Sequence, residues 1–181
     1  MKLYKDVKEV LYSADEIAQK VKEIGKKITE DYQGKELLLV CTLRGASIFF
    51  SDLVRNIDLD IKIDFIATTS YGASTKTSGE VKLTKDLNTP IVGKHVIIVE
   101  DIVDSGLTLK YVKRMLEARD PASVKICSIL DKPSGRRTEL TADYYGFVVP
   151  DVFIVGYGLD YAERYRQLPD ICVLDPKVYT K

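Results

Sequence analysis

Apolar residues recur along this chain with two different spacings, and the alternation between them predicts the fold class. Ile17, Val21, Ile24 and Ile28 stand three and four residues apart, with lysines and glutamates between them, which predicts a helix with one apolar face. Ser13-Ala-Asp-Glu16 opens that helix as a capping box, and Gly34 follows its end. Glu36–Thr42 (ELLLVCT) and Val96–Val99 (VIIV) are continuous apolar runs, the pattern of strands covered on both faces. Ile61, Ile63 and Phe65 alternate with polar residues, which predicts a half-buried strand. Glu80–Lys85 alternates again, so the two segments read as a long hairpin around the polar stretch Ser70–Gly79. Ser47–Arg55 reads as a helix, and so does the segment carrying Leu109, Val112, Met115 and Leu116. Val124–Leu130 (VKICSIL) and Ile171–Leu174 read as strands, Phe147–Tyr157 as a β-rich run split by Pro150, and Val7–Leu11 as a short strand or an extended arm. Strands alternate with helices and no linker or repeat intervenes, so the expectation is one α/β domain, residues 1–181, with a parallel sheet at its heart.

Composition narrows the function without naming it. The chain has 181 residues, and 27 basic residues balance 27 acidic ones, which argues against nucleic-acid binding by bulk charge. No apolar run reaches membrane-spanning length, and the opening MKLYKDVKEV lacks the apolar core of a signal peptide. Cys41, Cys127 and Cys172 are far apart, odd in number and set in apolar runs, so buried reduced thiols and a cytoplasmic address are expected. A single histidine, His95, excludes any site that needs two and reads as an ordinary residue at the start of a strand.

The candidate chemistry is concentrated in Val96–Thr108, VIIVEDIVDSGLT. A buried strand runs into Glu100 and Asp101; then come Asp104, the small turn Ser105-Gly106-Leu107-Thr108 and a helix, the layout of a ligand site at the carboxyl edge of an open α/β sheet. Small residues leave backbone N–H groups uncovered, and the positive end of the helix dipole adds to them, so the turn is an anion cradle suited to a phosphorylated sugar. Carboxylates beside a phosphate need another task; accepting hydrogen bonds from ribose hydroxyls, or holding Mg2+ through water, fits Glu100 and Asp101. The plainer reading is that Asp104 or Ser105 only caps the helix. Arg44 lies at another strand's end, either facing an anion or as a simple surface charge.

VIIVEDIVDSGLT resembles the phosphoribosyl-pyrophosphate signature of type I phosphoribosyltransferases. The chain is most similar to the hypoxanthine/guanine members, because four further motifs agree: Leu43-Arg44-Gly45-Ala46, Ser70-Tyr71, Asp131-Lys132-Pro133, and Phe153 with Gly158-Leu159-Asp160-Tyr161 and Arg166. Thr69 stands where eukaryotic members usually carry Lys, which looks more like bacterial relatives. The resemblance implies a type I phosphoribosyltransferase-like core with helices flanking the sheet. It also implies a small hood, formed by the termini and residues 132–175, and a flexible hairpin lid opening at Ser70 and Tyr71. Asp104, Ser105, Gly106, Leu107 and Thr108 would hold a 5′-phosphate, with Asp104 also the proton acceptor. Glu100 and Asp101 would take ribose hydroxyls and, with Asp160, a Mg2+ ion. Arg44, Gly45 and Arg166 would bind pyrophosphate, and the Leu43–Arg44 bond is often cis in the family. Lys132 would reach the purine O6, Phe153 would stack on the base, and Ile154 would offer backbone groups to its edge.

The resulting expectation is Mg2+-dependent transfer from phosphoribosyl pyrophosphate to a 6-oxopurine, hypoxanthine or guanine, in purine salvage. A homodimer or homotetramer and inhibition by guanosine tetraphosphate are implied by the same resemblance. The alternatives are an RNA-binding regulator on the same fold, an enzyme for xanthine or another base, and a nonenzymatic phosphosugar-binding module. Zero net charge and the Lys132 and Phe153 matches speak against the regulator.

Overall fold

The computed structural model describes residues 2–70 and 81–180. Its centre is a six-stranded sheet of β2 (Leu37–Leu43), β3 (Ile61–Ser70), β4 (Val81–Lys85), β5 (His95–Val103), β6 (Ser123–Asp131) and β7 (Tyr144–Val148). The strand order is β4-β3-β2-β5-β6-β7, all parallel except the antiparallel pair β3–β4. The parallel strands therefore run outward in both directions from β2 and β5, and the chain reverses its direction of winding between them. In an open α/β sheet the crevice at the carboxyl ends of two such strands is where a ligand binds.

Burial on both faces explains why β2 and β5 are apolar runs. Leu37, Leu39, Cys41, Ile97 and Val99 pack against α1 (Ala14–Asp31) and α2 (Ser47–Val54), through Ile17, Val21, Ile24, Ile28, Phe49 and Leu53. Leu38, Val40, Val96 and Ile98 face the other way, against Leu109, Val112 and Leu116 of α3 (Leu107–Glu117). Burying those three α3 side chains stabilises the docking by roughly 1.5–3 kcal/mol each. The capping box of α1 is present: Ser13 accepts from the Glu16 backbone N–H, and Glu16 accepts from the Ser13 N–H at 2.8 Å. All three cysteines are free and buried; burial pushes the Cys41 thiol up to about 12 and that of Cys172 up to about 11.

A second, three-stranded antiparallel sheet, order β1-β9-β8, joins β1 (Val7–Tyr12), β9 (Ile171–Leu174) and β8 (Ile154–Val155). It is the expected hood, with its own core of Val155, Tyr165, Leu168, Cys172 and Leu174. Two expectations need correction. Residues 144–148 belong to the main sheet, because β7 finds the free edge of β6 and pairs with it in parallel. On β3, Ile63 is 48% exposed whereas Asp64 is only 4% exposed. The polar residue is drawn in because its carboxylate accepts from the N–H groups of Phe65, Asn88 and Thr89 at 2.7, 2.8 and 2.8 Å, tying down the segment after β4.

Candidate active site

At the carboxyl ends of β2 and β5 lies a cavity of about 260 Å³ lined by Thr42, Leu43, Gly45, Ile66, Thr68, Glu100, Asp101, Thr108, Val112, Asp160 and Arg166. Glu100 and Asp101 are consecutive residues of β5, so their side chains leave opposite faces of the strand. The Asp101 N–H donates to Glu100 Oε1 at 3.1 Å, and the Ile102 N–H to Asp101 Oδ1 at 2.8 Å. Burial pushes the Glu100 carboxyl well above its usual range, with the Asp101 charge adding to the effect, and burial raises Asp101 as well. An acid pair lining one cavity offers carboxylate oxygens to a cation or to a set of hydroxyl donors.

The turn after β5 is built to leave the start of α3 open. Gly106 is the N-cap at φ +77°, and no side chain caps the helix there. The Ser105 hydroxyl reaches only the Leu107 N–H, at 3.4 Å, so helix capping does not account for this turn. Gly106 is buried, and a Cβ there would strike the Thr138 hydroxyl. The segment that presses on the turn is 134–140. The Arg136 guanidinium donates to the carbonyls of Asp104 (2.9 Å), Val103 (3.1 Å) and Leu140 and also pairs with Asp131, while the Arg137 N–H donates to the Ser105 carbonyl at 2.9 Å. Arg136 thus holds the backbone of the turn from behind. Asp104 itself is exposed, its carboxylate against Gly135.

The opposite wall comes from residues 156–166, a series of tight turns. Gly156, Tyr157, Gly158, Ala162, Glu163 and Tyr165 all have positive φ. Left-handed conformations cost a non-glycine residue roughly 1–2 kcal/mol, and surrounding contacts must hold them. The Tyr157 hydroxyl donates to Asp52 at 2.7 Å and that of Tyr165 to Asp6 at 2.8 Å. Arg166 Nη1 donates to the Gly158 carbonyl at 2.8 Å, and Nη2 pairs with Asp160 Oδ1 at 2.7 Å. Gly158 in turn packs on the Gly45 carbonyl, and Gly45 on the Asp101 carboxylate, so that a Cβ at either glycine would overlap its neighbour. Two loops distant in sequence are locked together at the floor of the cavity. The Leu43–Arg44 peptide bond beside them is cis.

The structure therefore brings Gly45, Glu100, Asp101, Thr108, Asp160 and Arg166 to one cavity. Arg44 stands outside it, largely exposed, with Nη1 3.1 Å from Glu163 Oε2; Glu163 also pairs with Arg166 at 3.3 Å. Glu163 was not readable as a site residue, because it sits in a polar turn and only the fold brings it to both arginines. Asp160 is engaged by Arg166 rather than grouped with Glu100 and Asp101, and among the described residues no three acidic, histidine or cysteine side chains form a cluster able to hold a metal alone. Lys132 lies at the end of β6, its ammonium 2.9 Å from Asp151 and 3.3 Å from the Val152 carbonyl. Phe153 is 37% exposed, unusual for so large an apolar ring. Ile154 lies in β8, which is the edge of the hood sheet. Ser70 ends β3; Tyr71, the second residue of the lid motif, lies outside the described residues.

Residues 8–162 match the phosphoribosyl transferase domain family. The chain is 52% identical over 174 residues to the hypoxanthine-guanine phosphoribosyltransferase of Bacillus subtilis, covering 96% of this chain and 97% of that protein. It is 48% identical to the bifunctional protein TilS/HprT of Listeria monocytogenes over 99% of its own length, but spans only 28% of that longer protein. The solved structure of a hypoxanthine phosphoribosyltransferase from Staphylococcus aureus superposes with a TM-score of 0.96 at 44% identity, covering 100% of this chain and 98% of that one. An acid pair and an uncapped helix start at the winding reversal of a parallel sheet, together with these likenesses, place the chain in the phosphoribosyltransferase family, among the hypoxanthine-guanine phosphoribosyltransferases.

Proposed function

We propose that the chain transfers the phosphoribosyl group of phosphoribosyl pyrophosphate to N9 of hypoxanthine or guanine, yielding IMP or GMP and pyrophosphate in purine salvage. The observation that carries this reading is the convergence of the Glu100–Asp101 pair, the open start of α3 and the Asp160–Arg166 pair on one cavity. Ser105, Gly106, Leu107 and Thr108 would hold the 5′-phosphate with backbone N–H groups and hydroxyls, and Glu100 and Asp101 the ribose hydroxyls. Arg44, Gly45 and Arg166 would bind the pyrophosphate. Glu163 must then release both arginines. Lys132 would donate to the purine O6, Phe153 would stack on the ring, and the edge strand carrying Ile154 would supply backbone groups. Ser70 and Tyr71 would open the lid.

Negative charge leaves with the pyrophosphate, so the ribose carbon becomes cation-like. The work of the site is then electrostatic stabilisation and positioning, with Asp104 accepting a proton from the base. Glu100 and Asp101 fit a hard cation, because both offer carboxylate oxygens to the same cavity. Glu100 and Asp101 would hold Mg2+, with Asp160 lining the same cavity, and the charge supplied there would neutralise the pyrophosphate. The buried free thiols support a cytoplasmic address. No helix among the described residues is long and apolar enough to cross a membrane. A homodimer or homotetramer is expected in solution, and guanosine tetraphosphate should compete with phosphoribosyl pyrophosphate for the anion cradle.

The test is pyrophosphate release from phosphoribosyl pyrophosphate with hypoxanthine, guanine, xanthine, adenine or uracil, with Mg2+ and after its chelation. Release with hypoxanthine or guanine that stops on chelation is the expected result. Release with xanthine alone would reassign the base, and the absence of release with all five bases would overturn the reading in favour of a regulator or binding module.

A further inference from the structure

We infer that Tyr179 is a positioning residue for the purine, acting as the wall behind Phe153; this rests on the proposed role of Phe153 in stacking on the base. An aromatic ring that is 37% exposed gains nothing from the protein core on its open side and needs a second surface to fix its plane. The structure supplies that surface from the segment after β9. The rings of Phe153 and Tyr179 stack with centroids 5.1 Å apart and planes 30° apart. Tyr161 closes the edge, 5.4 Å from Phe153 and nearly perpendicular at 89°, and lies 6.2 Å from Tyr179. Offset-stacked and edge-on pairs at these separations are favourable aromatic geometries.

The segment that delivers Tyr179 is folded for the purpose. The Asp175 N–H donates to the Asp6 carbonyl at 2.8 Å, and the Asp175 carboxylate accepts from the Lys177 N–H at 3.0 Å, capping a short 3-10 turn, Pro176–Val178. The turn closes with the N–H groups of Tyr179 and Thr180 donating to the Pro176 carbonyl at 3.1 and 2.8 Å. Val178, Tyr179 and Tyr161 then pack on the hood core, while the Phe153 carbonyl accepts from the Leu174 N–H at 2.9 Å. Phe153 is thereby tied to β9 and Tyr179 to the turn that follows it. Tyr179 covers Phe153 on one side and leaves the rest of the ring exposed, so a planar base landing on the open side would meet a ring already fixed in place. Without Tyr179 the Phe153 side chain regains rotamer freedom, and binding must freeze it.

The experiment is steady-state kinetics on the full chain and on Tyr179→Ala, Tyr179→Phe, Phe153→Ala and the double variant Phe153→Ala/Tyr179→Ala, each checked by thermal denaturation. Wild-type activity with hypoxanthine or guanine comes first, since its absence would remove the function and this inference together. Tyr179→Ala should raise the purine KM about three- to tenfold, with kcat and the phosphoribosyl pyrophosphate KM within about twofold. Tyr179→Phe, which keeps the ring, should restore the purine KM. In the Phe153→Ala background the Tyr179 substitution should have no further effect on it. An unchanged or lowered purine KM in Tyr179→Ala overturns the inference while leaving the enzyme reading intact. So does a loss spread equally over both substrates. An unchanged purine KM in Phe153→Ala removes the role of Phe153 and with it that of Tyr179.

Discussion

The contact between Gly158 and the Gly45 carbonyl makes the two sides of the site interdependent, and Gly158→Ala tests it. Gly158 has φ +103°, a conformation side chains rarely adopt, so alanine there costs about 1–3 kcal/mol from backbone strain alone. For a chain of this size that is roughly 2–12 °C in Tm. The new Cβ would also overlap the Gly45 carbonyl, and one of the two loops must move to relieve it. Gly158 carries the carbonyl that holds Arg166, and Gly45 backs the Asp101 carboxylate, so either movement reaches a cavity wall. A misplacement of about 1 Å costs on the order of 10²-fold in rate, so kcat/KM for phosphoribosyl pyrophosphate should fall about 100-fold. The assay is initial-rate kinetics at saturating hypoxanthine with thermal denaturation in parallel. Gly45→Ala should reproduce the kinetic loss from the other side. A lowered Tm with kcat/KM unchanged would refute the reasoning, since the glycine contact would then be structural only.

Asp104→Asn should lower kcat about 10²–10⁴-fold with little change in purine KM if Asp104 accepts the proton, and a near-normal kcat would remove that role. Lys132→Ala should raise the purine KM about 10–100-fold through loss of a charged hydrogen bond, and unchanged purine kinetics would make Lys132 a partner of Asp151 only. Burial pushes the Asp64 carboxyl up, but the N–H groups of Phe65, Thr89 and Asn88 outweigh it and hold the group below its usual range. Its stabilisation is thus present above the ordinary carboxylate range, near pH 4, and lost as pH falls through the lowered folded-state value. Asp64→Asn should therefore cost about 1–3 kcal/mol at pH 7, a difference that shrinks in acid denaturation profiles. A constant difference from pH 7 to pH 3 would contradict this.

The parts of the molecule readable in the sequence are those whose signal is local. The capping box at Ser13–Glu16, the apolar face of α1 and the two-sided burial of β2 and β5 follow from side-chain chemistry and the helix and strand repeats. The passage from strand to acids to small turn to helix in Val96–Thr108 is equally local, because one strand and one helix carry all of it. The parts decided only by tertiary structure depend on which edges and loops meet. Nothing in the spacing of Tyr144–Val148 says that it pairs with β6, since the hood sheet and the main sheet both offer edges to an apolar run. Asp64 looked outward by alternation, and three backbone N–H groups, two of them from a later segment, turned it into a buried anchor. Arg136 and Glu163 sit in polar turns that carry no periodic signal, yet one braces the turn between β5 and α3 and the other bridges Arg44 and Arg166. The stacking of Tyr179 on Phe153 arises within the hood and the lock between Gly45 and Gly158 between the hood and the end of β2, and side-chain spacing along the chain encodes neither distance.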